Sequence, residues 1–184
     1  MNSVYSFLRY ALIVMLLGPL PAFNASAADM SIAVLDFELN DLTLNLTANP
    51  VNPDEVERTS QIKSLLQQAL LARGGYKIVE VAPKSQDQAN GAFGYIYDHH
   101  DVAADLGRSV GADWIVVGRV HKGSFLFVYL KAQLINTKTK QVVGLYSVEV
   151  KGQQKKLTPK GVDHLAEQIN DTIRHTPNVA PAEK

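Results

Sequence analysis

Four stretches of the chain carry residues whose types and spacing could do chemistry. Gly107-Arg108-Ser109-Val110-Gly111 has the G-x-S-x-G spacing of a nucleophile elbow, and Asp163 and His164 follow it in hydrolase order. That mechanism needs a strand before the serine and a helix after it. Here a helical pattern ends at the motif and a strand pattern follows, so Ser109 is expected in the last turn of a helix. Asp98-His99-His100-Asp101 offers imidazoles and carboxylates, with His99 and His100 as the metal-ligand candidates. Four adjacent residues cannot converge on one ion without a tight turn, and helical ligands prefer i, i+4 spacing. A helix start capped by Asp98 or His100 is the expected role. His121, His164 and His175 stand too far apart in sequence to add a motif.

The stretch Lys151 to Lys160 crowds Lys155, Lys156 and Lys160 at the start of a helical pattern. The macrodipole there is already positive and free N–H groups favour anions. It reads either as an anion site, for a peptidoglycan carboxylate, a phospholipid head or an acidic partner, or as a solvated basic loop. Asp36 closes the first strand pattern at its carboxyl end, where ligands of open α/β sheets bind. A turn cap is its competing role. No Gly-rich phosphate loop, paired-carboxylate motif or dinucleotide fingerprint is present.

The elements that position these residues follow from composition and periodicity. The chain has 184 residues, with 18 basic against 18 acidic side chains, so it lacks the basic excess of a nucleic-acid binder. It has no cysteine, which excludes disulfides, thiolate chemistry and cysteine-ligated zinc. Arg9, the apolar run Tyr10 to Leu17, the breakers Gly18, Pro19 and Pro21, and Ala25-Ser26-Ala27 have the form of a cleavable signal peptide over 1–27. The apolar run is shorter than the roughly 20 residues of a membrane span, although a retained anchor is the alternative. Export to a periplasm is the expectation, with residues 28–176 as one domain and 177–184 as a frayed tail.

Ser31 to Phe37 is nearly continuous in apolar residues and is expected as a strand covered on both faces. Alternation puts Ile32, Val34 and Asp36 on one face and Ala33, Leu35 and Phe37 on the other. Glu38 to Val51 is expected as a long loop or arm. Asn52-Pro53-Asp54-Glu55 starts a helix with Val56, Ile62, Leu65, Leu66, Ala69 and Leu70 on its buried stripe, ended by Gly74-Gly75. Tyr76 to Val81 is a short strand, 82–97 a polar connection, and Asp101 to Val110 a second helix. Trp114 to Val120 reads as the central strand, with Gly118 marking a bulge or a close neighbour. Ser124–Asn136 and Gln141–Lys151 form a hairpin about Thr137 to Lys140, and Leu157-Thr158-Pro159 opens a helix to about Arg174.

The expected class is therefore α/β (α+β): a mixed sheet of about five strands in the order β-α-β-α-β-β-β-α, with helices packed on it. In the Ser124–Asn136 strand, Leu126, Val128, Leu130, Ala132 and Leu134 make an apolar core face. Phe125, Phe127 and Tyr129 lie opposite, before Lys131 and Gln133 turn that face polar. Cover by a helix is the favoured expectation for these aromatics, and an exposed interaction patch the other.

Ile32-Ala-Val-Leu-Asp-Phe37, Leu70-Leu-Ala-Arg-Gly-Gly-Tyr76, Gly111-Ala-Asp-Trp-Ile-Val-Val-Gly118 and the final hairpin resemble the TolB amino-terminal-like fold. That fold is also seen in CsgG, and the chain is similar above all to a family of exported bacterial proteins of unknown function. The resemblance covers about Met30 to Arg174. It implies a periplasmic, non-catalytic module without cofactors that contacts envelope proteins, and a link to quinoprotein alcohol-oxidation systems. Two departures are the missing lipidated cysteine of CsgG-type members and Thr139-Lys140 where the hairpin turn usually has Thr-Gly. The functional expectation is an adaptor presenting Phe125, Phe127 and Tyr129, the Glu38–Val51 arm or the Lys155/Lys156 helix start. A small-ligand or anion-binding accessory protein using Asp36, Lys155, Lys156 and Lys160 is the alternative.

Overall fold

The computed structural model describes residues 29–44 and 51–176. The expected signal segment 1–27, the tail 177–184 and positions 45–50 of the expected arm lie outside the described residues. The described elements are β1 (Met30–Val34), β2 (Glu38–Asp41), α1 (Pro53–Arg73), β3 (Tyr76–Ile78), α2 (Pro83–Asn90) and α3 (Tyr95–Asp98). They continue with α4 (His100–Ser109), β4 (Trp114–Lys122), β5 (Phe127–Asn136), β6 (Val142–Lys151) and α5 (Gln154–His175).

The expected class holds, as a mixed six-stranded sheet. β4 is its centre, parallel to β1 and β2 on one side and antiparallel to β5 on the other. β3 lies parallel outside β1, and β6 antiparallel outside β5. Trp114 to Val117 is buried without alternation because helices cover both faces there. On the first face α1 and α5 pack Ile62, Leu66, Leu70, Leu165 and Ile169 against Ile32, Val34, Val116, Leu130 and Leu134. On the second face α2 to α4 pack Ile96, Ala103, Ala104 and Leu106 against Ala33, Leu35, Ile115, Val117 and Ile135.

The first correction concerns the start of the chain. β1 and β2 run along the same side of β4, with Val34 opposite Val116 and Glu38 opposite Arg119. Three residues, Leu35 to Phe37, thus face two on β4, so the strand carries one extra residue. That extra residue inverts the alternation, and Phe37 packs with Ile32 and Val34 instead of with Ala33 and Leu35. Asp36 sits at the break, outside the strand. Its N–H donates to Gln86 Oε1 at 2.9 Å and its carbonyl accepts from Gln86 Nε2 at 3.0 Å. One side-chain amide on α2 therefore supplies both bonds that a neighbouring strand would have supplied. Gln86→Ala is expected to destabilise by about 1–3 kcal/mol, because it leaves both backbone groups without protein partners. Urea unfolding checks this, and a loss below about 0.5 kcal/mol would show that the clamp contributes little.

Other differences have local causes. The expected arm begins with β2, and the 82–97 connection contains α2 and α3. The hairpin strands start at Phe127 and Val142, and Lys140 takes φ 59° at the turn position usually held by glycine. Asn136 accepts from the N–H groups of Lys138 and Thr139 and so holds that turn. α5 begins a turn before its expected start, with Pro159 inside it. Val56 is 48% exposed, and Glu55 is buried in its stead.

Candidate functional site

Ser109 is the last residue of α4, and its hydroxyl donates to the Leu106 carbonyl at 2.7 Å. Asp163 and His164 stand on α5, across the sheet, where Asp163 pairs with Arg73 and His164 with Glu167. The three residues form no constellation. Both motif glycines have packing roles instead. A Cβ at Gly107 would meet Thr137 Cγ2 at 2.8 Å and Ile115 Cβ at 3.1 Å, and Gly111 stops the helix with φ 79°. His99 stacks on Tyr95 with centroids 3.9 Å apart, and its Nδ1 lies 2.8 Å from the Tyr95 carbonyl. His99, and neither Asp98 nor His100, is the N-cap of α4, without a side-chain capping bond. Among the described residues no group of three or more His, Asp or Glu is placed to hold a metal.

At the far end of β4 the sheet closes on a buried charge network. Lys122 is 3% exposed and lies 3.0 Å from Asp41 Oδ2 on β2 and 3.5 Å from Glu55 Oε1 on α1. Glu55 also pairs with Arg58, and the Phe125 ring centroid is 5.1 Å from Lys122 Nζ. Burial alone would push the Asp41 carboxyl up. The Thr43 hydroxyl, Lys122 and the Thr43 N–H together outweigh it and hold the carboxyl below its usual value. Burial pushes the Arg58 guanidinium down, against the pull of Asp41 and Asp54.

The candidate anion residues do not converge. Lys155 and Lys156 line a cleft of about 450 Å³ with Arg58, Phe125, Gly152 and Gln153. Lys160 lines a separate one beside β6, and Asp36 lies 3.4 Å from Lys63 on α1.

The aromatic strand departs from expectation more usefully. Phe125 precedes β5 and turns to Lys122, so it does not share a face with Phe127 and Tyr129. Leu126, expected in the core, is 61% exposed. The favoured helical cover over Phe127 and Tyr129 is absent among the described residues, because the second-face helices stop at Arg119 and Gln133. Gln133 Nε2 donates to the Tyr97 carbonyl at 3.1 Å. The Arg119 guanidinium lies 4.3 Å from the Tyr97 centroid, 5.3 Å from that of Phe93 and 3.4 Å from Glu38. Glu38 in turn accepts from Asn90 and from the Gly94 N–H, which fastens the α2–α3 loop to the sheet.

Beyond this latch the second face is open among the described residues. Phe127, Tyr129, His121 and Lys131 are half-buried on it, and Leu145, Ser147, Glu149 and Lys151 of β6 are exposed. Lys151 Nζ stands 5.1 Å from the Phe127 centroid, and the His121 and Tyr129 rings are 6.4 Å apart. Leu145, 75% exposed, was missed by sequence reasoning. Its signal was the alternation Leu145, Ser147, Glu149, Lys151 on a strand with one apolar face.

Among the described residues no helix is long and apolar enough to cross a membrane. A family model, DUF3280, described as protein of unknown function (DUF2380), matches residues 30–169. No curated protein sequence matches the chain significantly. Among solved structures, a PelC variant from Paraburkholderia phytofirmans, described as a dodecamer, is 17% identical with a TM-score of 0.50, covering 79% of this chain and 89% of that one. The LpoB C-terminal domain from Salmonella enterica is 16% identical with a TM-score of 0.45, covering 70% of this chain and 87% of that one. TolB from Acinetobacter baumannii is 13% identical with a TM-score of 0.47, covering 84% of this chain and 31% of that one. These likenesses concern the fold. They do not show the CsgG side of the resemblance and lend no support to a quinoprotein system.

Proposed function

Because this chain belongs to DUF3280, a family of proteins of unknown function, we propose its role from its own surface: a non-catalytic protein-interaction module of the bacterial envelope. The observation that carries the reading is the open half of the second sheet face. Helices cover the rest of that face, yet Phe127, Tyr129 and Leu145 are left partly or largely in water. Two aromatic rings at neighbouring positions of one open face, with Leu145 further along it and charges around them, are what protein interfaces present at their centres. Lys131 and Lys151 supply more positive than negative charge around it, with Glu149 the nearby acid, which favours a partner that is apolar in the middle and acidic outside. The signal-peptide pattern of residues 1–27 supports placement in the periplasm. Ligand binding as the alternative draws less support, since Asp36, Lys160 and the Lys155/Lys156 pair lie in separate places.

Phe127→Asp tests the reading. The residue is half-buried, so the variant is expected to fold with an unchanged circular dichroism spectrum and a melting shift of no more than about 4–8 °C. It should lose capture of the envelope protein that cross-links to the wild type, identified by mass spectrometry. Equal capture by both would remove the open face from the interface. Unfolding would place Phe127 in the core and end its use as a contact.

A further inference from the structure

We propose that the outer edge of β6 and the groove between it and α5 bind an extended acidic peptide segment as an added strand. The inference rests on the interaction reading but names a second surface, the edge of β6 and its groove with α5, which shares only the outward row of β6 with the open face.

β6 ends the strand order, and among the described residues nothing pairs with its outer edge over ten residues. An open edge is a template for another chain unless it is short, covered or twisted away. The direction of its free groups follows from one bond. The Gly152 N–H donates to the Leu126 carbonyl, back toward β5. Strand alternation then turns the N–H groups of Val148 and Val150 inward and those of Ser147, Glu149 and Lys151 outward.

Beside this edge lies a groove of about 290 Å³ lined by Val148, Glu149, Val150, Lys151, Lys160, Gly161 and His164. Gly161 makes its floor. A Cβ there would meet Val150 Cγ2 at 2.7 Å, so α5 lies as close to the sheet as backbone allows. Strand edge next to helix is the geometry in which extended peptides add to sheets, with main-chain bonds giving affinity and side-chain contacts giving specificity.

The charges choose the occupant. Toward α5 the groove presents Lys160 and His164, with Lys155 and Lys156 further along the helix. Glu149 belongs by alternation to the opposite face of β6, beside Leu145 and Lys151. Near the groove, Asp163 is taken by Arg73, and Glu167 stands 3.3 Å from His164. An added strand would therefore set one row of side chains against Lys160 and His164, where carboxylates fit, and the other row along Leu145, Ser147, Glu149 and Lys151, where an uncharged row with its apolar contact at Leu145 fits. Alternating acidic and apolar residues are the expected pattern.

The test uses the purified protein and two blocked peptides of about ten residues, the length of β6. One alternates glutamate with valine, and the other has lysine in place of glutamate. The glutamate peptide is expected to bind at least about tenfold more tightly, by an amount that shrinks with salt. It should protect the amides of Ser147, Glu149 and Lys151 from hydrogen exchange. Lys160→Glu with His164→Glu, both on the outer surface of α5, should weaken it about tenfold. Glu149→Pro, which removes one outward N–H at an edge position, should weaken it as much. Phe127→Ser, which adds no charge beside Lys151, should leave peptide affinity unchanged, so loss of the aromatic face and loss of the groove read separately. Equal affinity for the two peptides, or protection confined to other amides, overturns the proposal. So does a dimer in sedimentation without peptide that Glu149→Pro dissolves, because the edge would then be taken by a second copy.

Discussion

Lys122→Ala is expected to destabilise the protein by about 3–5 kcal/mol, because it removes one partner from a buried ion pair and leaves the other uncompensated. Lys122 is 3% exposed, and its ammonium is shared by Asp41 and Glu55, whose side chains are 11% and 10% exposed. Glu55 keeps Arg58 after the substitution; Asp41 keeps its bonds from Thr43 but loses its cation. The pH profile should change with it. The Asp41 carboxyl is held below its usual value, so its contribution is complete above the ordinary carboxylate range of about 4 and is lost as pH falls through the lowered value. Without Lys122 that acid-side dependence should flatten. Urea titrations from neutral to acid pH measure both effects. A loss of less than about 1 kcal/mol at neutral pH would mean that water or side-chain motion relieves the charge.

The second large effect is expected at Gly118. A Cβ there would overlap Cε1, Cζ and Cε2 of Phe37, whose ring lies flat against the glycine and is 7% exposed. Gly118→Ala must expel that ring or shift β4, and the cost is expected near that of losing a buried aromatic, about 3–5 kcal/mol. Phe37→Ala should cost a similar amount by opening a cavity. The double variant is the informative one. If ring and glycine occupy one space, adding Gly118→Ala to Phe37→Ala should cost little more, with a coupling of about 2–3 kcal/mol between the two sites. Strictly additive losses would show that Phe37 does not sit there.

These two positions also show where sequence reasoning stopped. Gly118 was legible as a close approach, since a lone glycine in a β-rich run signals one, but the neighbour was not. Alternation assigned Phe37 to the wrong face because the extra residue in Leu35 to Phe37 leaves no mark in the hydrophobic pattern. No local pattern marks Lys122 as buried. Its burial depends on Asp41, 81 residues away in sequence, and on Glu55, which a local rule places as an exposed acid in a first helical turn. The cap of α1 behaved as local chemistry predicts. Asn52 accepts the Asp54 N–H at 2.9 Å, and Pro53 follows it.

The candidate surface divides the same way. Phe127 and Tyr129 on one face and Val128, Leu130, Ala132 and Leu134 on the other were fixed by a period of two residues, whatever the rest of the chain did. Whether anything would cover the aromatics was not, because cover depends on where α2 to α4 end. That limit is set by long-range contacts, Arg119 with Glu38, Phe93 and Tyr97, and Gln133 with the Tyr97 carbonyl. By itself the sequence determined the class, the central strand, the bounds of α1 and α4 and the alternation within β5, because propensity, capping and period act over a few residues. Only the tertiary structure decided which face Phe37 joins, that Lys122 is buried, and that among the described residues the β6 edge lies open beside α5. Those outcomes depend on which distant segments pair and pack, and short-range patterns do not encode them.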